Sequence, residues 1–187
     1  MCGKTRGIPV KCVALALAAV LLVACTGVPR GVEPVTGFDV TRYDGTWYSI
    51  MRLDHRFERG LTNVSATYRL RDDGTVDVHN RGFDPDTCRW NAIDGRARFQ
   101  GSTDTASLSV TFFWPIHGGY HVFALDKDDY QWAAVSGPTR GYLWILARET
   151  TLPEDTLDEI IAKAASLDYP VDELIRVEHG GLEACDP

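Results

Sequence analysis

Nowhere in these 187 residues does an apolar stretch reach the length that a membrane-spanning helix needs. The run from Val13 to Ala24 is only 12 residues long, whereas a helix rising ~1.5 Å per residue needs roughly 20 to cross a ~30 Å hydrocarbon core. There is no basic run with interleaved aromatics, and 26 Asp and Glu outweigh 19 Lys and Arg for a formal charge of -7. That balance argues against nucleic acid as a partner, because an acidic surface repels phosphates. Neither a G-x-S-x-G elbow nor an H-E-x-x-H helix occurs, so two common hydrolase constellations are missing. The acid pairs Asp72-Asp73 and Asp128-Asp129 fall at turn positions and read as solvated loops. Internal repeats and low-complexity tracts are absent as well.

What is present begins with a processing signal. Lys4, Arg6 and Lys11 precede the apolar run, the order of a secretory signal peptide. At its end, Leu22-Val23-Ala24-Cys25 resembles the lipobox of bacterial lipoprotein precursors. That resemblance implies cleavage before Cys25, with acyl chains on its sulfur and amine. Each buried CH₂ contributes ~0.8 kcal/mol, so several chains hold firmly where one does not. Thr26 stands where inner-membrane lipoproteins often carry Asp, which by the same resemblance implies an outer-membrane address. The other reading is an ordinary signal cut nearby, with Cys25 incidental. Residues 1–24 are thus predicted to be signal, and 25–36, with Pro29 and Pro34, a lipidated tether. Residues 37–180 form one domain, and 181–187 a tail. Loss of the signal removes three basic residues and no acidic ones, taking the charge from -7 to -10.

Processing also settles the cysteine count. Cys2 and Cys12 leave, Cys25 is acylated, and Cys88 and Cys185 remain. In an exported chain such a pair favours a disulfide over two free thiols or half a metal site.

Through the mature chain, short alternating segments follow one another with turn residues between them. Val64, Ala66, Tyr68 and Leu70, then Asp72-Asp73-Gly74, then Val76 and Val78 read as a hairpin. Further strands are predicted over Gly45 to Leu53, Cys88 to Ile93 with Arg96 to Gln100, Ala106 to Phe113, Tyr120 to Asp126, Tyr130 to Ser136 and Tyr142 to Arg148. Even spacing without intervening helices is the pattern of an antiparallel sandwich or barrel. One late helix opens at Pro153, carries Glu154 and Asp155 in its first turn, and aligns Leu157, Ile160, Ile161, Ala164 and Leu167 in a stripe. A short strand over Leu174 to Val177 follows it.

Five blocks carry a family resemblance: Phe38-Asp39-Val40 through Tyr43 with Gly45-Thr46-Trp47-Tyr48, then Asp54 to Leu61, Gly118-Gly119-Tyr120, Asp129-Tyr130 and Tyr142 to Arg148. Their order and spacing resemble the bacterial lipocalins and their animal relative apolipoprotein D. Asp128-Asp129-Tyr130 departs from the family's T-D-Y. The resemblance implies an all-β fold, an eight-stranded antiparallel up-and-down barrel with one helix outside. It also implies that Gly45 and Trp47 build the closed end and that Arg148 stacks across Trp47.

If Trp47 and Arg148 point inward, alternation turns Ser49, Met51, Tyr142, Trp144 and Leu146 inward too. Ile50, Leu143, Ile145 and Ala147 then point outward to receive the helix. Ala66, Tyr68, Val76, Val78, Leu108, Val110, Phe112, Tyr120 and Val122 are further inward positions. Near the closed end they fill the core; nearer the mouth they either fill it or touch a ligand. The predicted ligand-lining set is Met51, Tyr68, Val78, Asn80, Phe112, Tyr120, Tyr142 and Trp144. An eight-stranded barrel holds one small ligand, and the resemblance implies a fatty acid or lysophospholipid, with no cofactor and no metal. The loop from His55 to Leu61 covers the mouth, where His55, Arg56 and Arg59 either meet an anionic head or are simply solvated. Competing readings are a filled barrel with an interaction role, catalysis through Cys88, and haem binding through His79, His117 or His121. Alternation turns His79 and His121 toward solvent and puts His117 in a loop.

Overall fold

In the computed structural model, which describes residues 26–185, strands β1 (Gly45–Arg52), β2 (Thr62–Leu70), β3 (Val76–Asp84), β4 (Arg89–Phe99), β5 (Ser107–Phe113), β6 (Ile116–Leu125), β7 (Trp132–Ser136) and β8 (Leu143–Ala147) pair antiparallel in chain order. β1 closes the barrel because it pairs with both neighbours, Gly45–Tyr48 against β2 and Tyr48–Arg52 against β8. Closure leaves none of the eight as an open edge. The predicted hairpin turns at Gly74, whose φ of +75° suits glycine, and the Asp73 carboxylate accepts from the Thr75 amide. A single turn of helix, α1 (Val40–Tyr43), caps the lower end and is itself capped by Asp39.

The late helix, α2 (Glu154–Ser166), buries Leu157, Ile160 and Ala164 against Ile50, Leu143, Ile145 and Ala147 on the outside of the barrel. The outward face of the strands and the helix stripe therefore meet as alternation requires. A second core lies inside, built around Trp47, Tyr68, Val76, Val78, Val110, Val122 and Leu146.

Several boundaries differ from the sequence reading. β4 is one unbroken strand, β3 runs six residues past Val78, and β6 begins at Ile116, which puts His117 in a strand rather than a loop. The terminal strand β9 shrinks to Ile175–Arg176. Tyr142 lies in the turn before β8, its amide donating to the Thr139 carbonyl. Residues 26–36 do not behave as a free tether. Val35 hydrogen-bonds Val122 and Ala106, Val32 is buried, and Arg140 donates to the Arg30 carbonyl. The prolines and glycines that resembled a linker let this segment follow the barrel wall. Cys25 and residues 1–24 lie outside the described residues.

Cys88 and Cys185 are bonded, tying the chain's end to the β3–β4 turn. The tail reaches that turn across β2, where Asn63 grips both the amide and the carbonyl of Gly180. Chain entropy values a closed loop of this length at ~4.7 kcal/mol, and strain or residual denatured structure usually reduces the yield. Replacing both cysteines with alanine is expected to lower the unfolding free energy by about 2–4 kcal/mol in a urea titration.

Candidate functional site: the barrel interior and its mouth

The lower end is closed by aromatic and cationic packing. Trp47 is fully buried, its indole N–H donates to the Tyr43 carbonyl at 2.9 Å, and the Tyr43 ring stacks on it at 4.5 Å. The Arg148 guanidinium lies 4.0 Å over the indole and donates to the carbonyls of Arg42, Thr46 and Tyr130. Gly45 is needed beside it: its φ is +103°, and a Cβ there would stand 3.2 Å from an Arg148 nitrogen.

Above this plug, Tyr43, Tyr120 and Tyr68 link their hydroxyls across the interior at 2.8 and 2.9 Å. Burial raises all three above the ordinary tyrosine value, so they stay protonated and donate to one another. Tyr68 and Tyr120 therefore cross the interior above the plug, and their polar ends are already engaged.

The upper half departs from the predicted pattern at one residue. The register between β1 and β8 shifts between Ser49 and Met51, a β-bulge. Ile50 and Met51 consequently both pack into the outer cluster beside α2, so Met51 does not line the cavity. Arg52 takes its place, opposite Trp144 inside the barrel, and is only 3 % exposed. Its guanidinium donates to the carbonyls of Glu58 and Leu53 and lies 3.5 Å from the Glu58 carboxylate and 3.7 Å from that of Asp54. Trp144 donates to the other Glu58 oxygen at 3.3 Å. His55 packs beside Tyr142 and Trp144, with ring centroids 5.9 and 5.0 Å away.

The loop over residues 53–61 thus divides. His55 and Glu58 turn in, whereas Arg56 and Arg59 stay outside, Arg59 paired with Asp54 at 2.7 Å. Among the described residues, Ser49 Oγ, Arg52 Nε, both His55 nitrogens, Glu58 Oε2, Asn80 Oδ1 and Arg96 Nε are buried without a hydrogen bond. All but Arg96, which pairs with Asp77 on the outer face, belong to inward positions or to the loop over them. Val78, Phe112 and Trp144 supply apolar wall around this polar patch. Arg52 and Glu58 were not legible as site residues; the only signal was the adjacent apolar pair Ile50-Met51, which breaks alternation.

Electrostatics follow from burial. Desolvation, aided by Arg52, lowers His55 to about 4, so the ring is neutral at physiological pH. Desolvation raises Glu58 above the ordinary carboxylate value, against the opposing pull of Arg52. With its folded value depressed, His55 contributes stability that is present above the unfolded value of about 6.5 and is lost as pH falls toward 4. One pKa unit corresponds to 1.36 kcal/mol, so a depression of this size is worth on the order of 3 kcal/mol at most. Glu58 acts in the opposite sense, regaining stability on protonation. The His55→Phe protein, which keeps the aromatic stack, is expected to lose less melting temperature than the wild type between pH 7 and 4. Parallel melting profiles would contradict this reading of the ring.

The three histidines considered for haem stand on the outer face. His79 is exposed and pairs with Asp94 at 2.7 Å, and His117 bonds Thr111. His121 is a correction to the expected solvent exposure: it faces outward but is fully buried, because the segment carrying Gly27 covers it. Its Nδ1 meets the Ser107 hydroxyl and its Nε2 the Gly27 carbonyl. No group of three or more potential metal ligands is found among the described residues. Cys88, bonded to Cys185, has no thiol to offer as a nucleophile.

Comparison with known proteins agrees with this architecture. The lipocalin-like domain family matches residues 38–179. The chain is 49 % identical over 171 residues to outer membrane lipoprotein Blc of Escherichia coli strain K12, covering 90 % of this chain and 96 % of that protein. It is 35 % identical over 128 residues to apolipoprotein D of Bos taurus, covering 64 % and 66 % of the two chains. Among solved structures, insecticyanin from the tobacco hornworm Manduca sexta superposes with a TM-score of 0.68 at 19 % identity, over 86 % of this chain and 90 % of the other. At that identity the likeness speaks to the fold.

Proposed function

This chain belongs to the lipocalin family, and from that premise and the cation buried in its open half we propose that the barrel carries a fatty acid or a lysophospholipid in the bacterial envelope. Family membership supports the coarse part, a barrel that binds a small apolar ligand rather than an enzyme. The finer part rests on one observation: Arg52 is 3 % exposed in the open half of the barrel, and its Nε makes no hydrogen bond although it lies 3.5 Å from Glu58 Oε2. Burying a charge is costly unless it is compensated, and Glu58 compensates it loosely, at 3.5 Å without a hydrogen bond between the side chains. An anionic head at this position displaces Glu58 as the counter-ion, while the acyl chain runs down over Phe112 and Val78 toward Tyr68 and Tyr120. Both lipid classes share that chemistry, one chain and one anionic head. The lipobox-like ending at Cys25 and the outer membrane lipoprotein relatives support acylation of Cys25 and an outer-membrane location.

Titration calorimetry with a fatty acid and the fatty alcohol of equal chain length tests the head assignment. A hydrogen bond to a charged group contributes about 1.5–3 kcal/mol, so the acid is expected to bind at least about tenfold more tightly. Equal affinities would remove Arg52 from the site. Replacement of Cys25 with serine is expected to release the chain from the membrane fraction, and retention would refute the anchor.

A further inference from the structure

Tyr68 and Tyr120 reach toward each other from opposite walls. With the eight strands closed in chain order, β2 and β6 stand diametrically across the interior. Their rings pack edge to face with centroids 5.8 Å apart, and the Tyr120 hydroxyl donates to that of Tyr68 at 2.9 Å. The pair is therefore a bar across the barrel. Tyr43, the last residue of α1, braces it: its hydroxyl lies 2.8 Å from that of Tyr120, and its ring packs 5.3 Å from Tyr68 and stacks on Trp47.

Toward the closed end the three tyrosines, with Val76, Leu108 and Val110, line an apolar cavity of about 20 Å³. That is room for about one water-sized body, so no methylene chain enters while the rings stay in place. They are hard to move. An aliphatic side chain such as Leu or Met yields to a ligand by changing rotamer. Displacing Tyr68 or Tyr120 breaks a buried hydrogen bond and strands a hydroxyl, a cost a methyl group at the end of an acyl chain cannot repay. The open half is deeper. Arg52 stands five residues beyond Trp47 on β1, roughly 15 Å along the strand, so a chain whose head lies at Arg52 has a finite run before it meets the rings. Ala66 is one inward step nearer the mouth than Tyr68 on β2, half-buried and opposite Asn80, and its small side chain keeps that run open.

We infer that the bar formed by Tyr68 and Tyr120 is the stop that sets acyl-chain length in this barrel. A chain entering from the mouth gains wall contact with each carbon until its methyl end reaches the two rings, and further carbons find no place below them. This rests on the single-chain lipid proposed above and deepens it by naming the determinant of chain length. The bar acts on the tail alone, at the opposite end of the ligand from Arg52, so head preference and length preference are separable.

The test titrates the full chain carrying Cys25→Ser with two homologous series, saturated fatty acids and primary alcohols of increasing chain length. Each CH₂ that is buried tightens binding about fourfold. Affinity in this parent chain is therefore expected to climb by that factor per carbon and then level off where the methyl end meets the bar. Adding Tyr120→Ala is expected to move the break to longer chains, and adding Ala66→Leu to move it to shorter ones. Melting temperatures check both folds, and Ala66→Leu, which adds a side chain instead of removing a buried ring, tests the stop independently of Tyr120→Ala. A break at one chain length in all three proteins, or a climb without a break in the parent, would overturn the stop. Equal affinities of acid and alcohol with a break that moves as expected would remove Arg52 from the site and leave the stop standing. Failure of both series to bind would refute the lipid reading and the stop with it.

Discussion

Substitution of Trp47 by alanine is expected to cost about 3–5 kcal/mol of stability, the range for large aromatic truncations in packed cores. Three losses coincide at this site. The fully buried indole leaves a cavity under Tyr43, its N–H bond to the Tyr43 carbonyl disappears, and Arg148 loses the face it covers. The last term is ~0.5–2 kcal/mol. Arg148 retains its three carbonyls, so the end of the barrel loosens without losing every tie. Against a typical domain stability of 5–15 kcal/mol, the variant sits near the threshold of folding at 37 °C. Ligand selectivity should be unaffected in whatever fraction remains folded. A Trp47→Ala protein that melts like the wild type would contradict the assignment of the plug as structural.

Replacement of Arg52 by methionine has the second large effect, and it acts on both stability and binding. Breaking a buried ion pair from one side costs about 3–5 kcal/mol. Here Glu58 keeps 16 % exposure and a bond from Trp144, so about 2–4 kcal/mol is expected. Adding Glu58→Leu removes the stranded carboxylate and is expected to restore most of that loss. Binding behaves differently. Arg52→Met should lose the preference for a fatty acid over the fatty alcohol, and the double variant should not regain it. Glu58→Gln alone removes the competing anion and is expected to tighten fatty-acid binding by about tenfold. Weaker fatty-acid binding in Glu58→Gln would show that Glu58 contacts the ligand instead of competing with it.

The contrast between Met51 and Arg52 shows what the sequence could and could not disclose. Alternation placed Ile50, Leu143, Ile145 and Ala147 outside and Trp47, Tyr68, Trp144 and Leu146 inside, because the period of two holds wherever hydrogen-bonded pairs stay in register. One inserted residue reverses every later position on that strand. The bulge after Ser49 therefore exchanged Met51 for Arg52 and concealed the cation that organises the mouth. A second register shift in β6, between Val122 and Ala124, frees Phe123 to stack on Tyr169 outside the barrel. The segment over residues 26–36 was misread for another reason. Proline and glycine mark a tether and a wall-hugging extended strap alike, and only partners distant in sequence, such as Ala106, Val122 and Arg140, separate the two. His121 followed from that error, since its burial depends on Gly27 covering it.

The central claim is that the cavity holds a lipid by an acyl chain and an anionic head, and it is tested most directly by native mass spectrometry of the chain lacking Cys25, expressed in bacteria, with organic extraction of what co-purifies. The account expects one fatty acid or lysophospholipid per barrel, retained by wild type and lost from Arg52→Met. A clean apo mass that takes up no added fatty acid or lysophospholipid would contradict it.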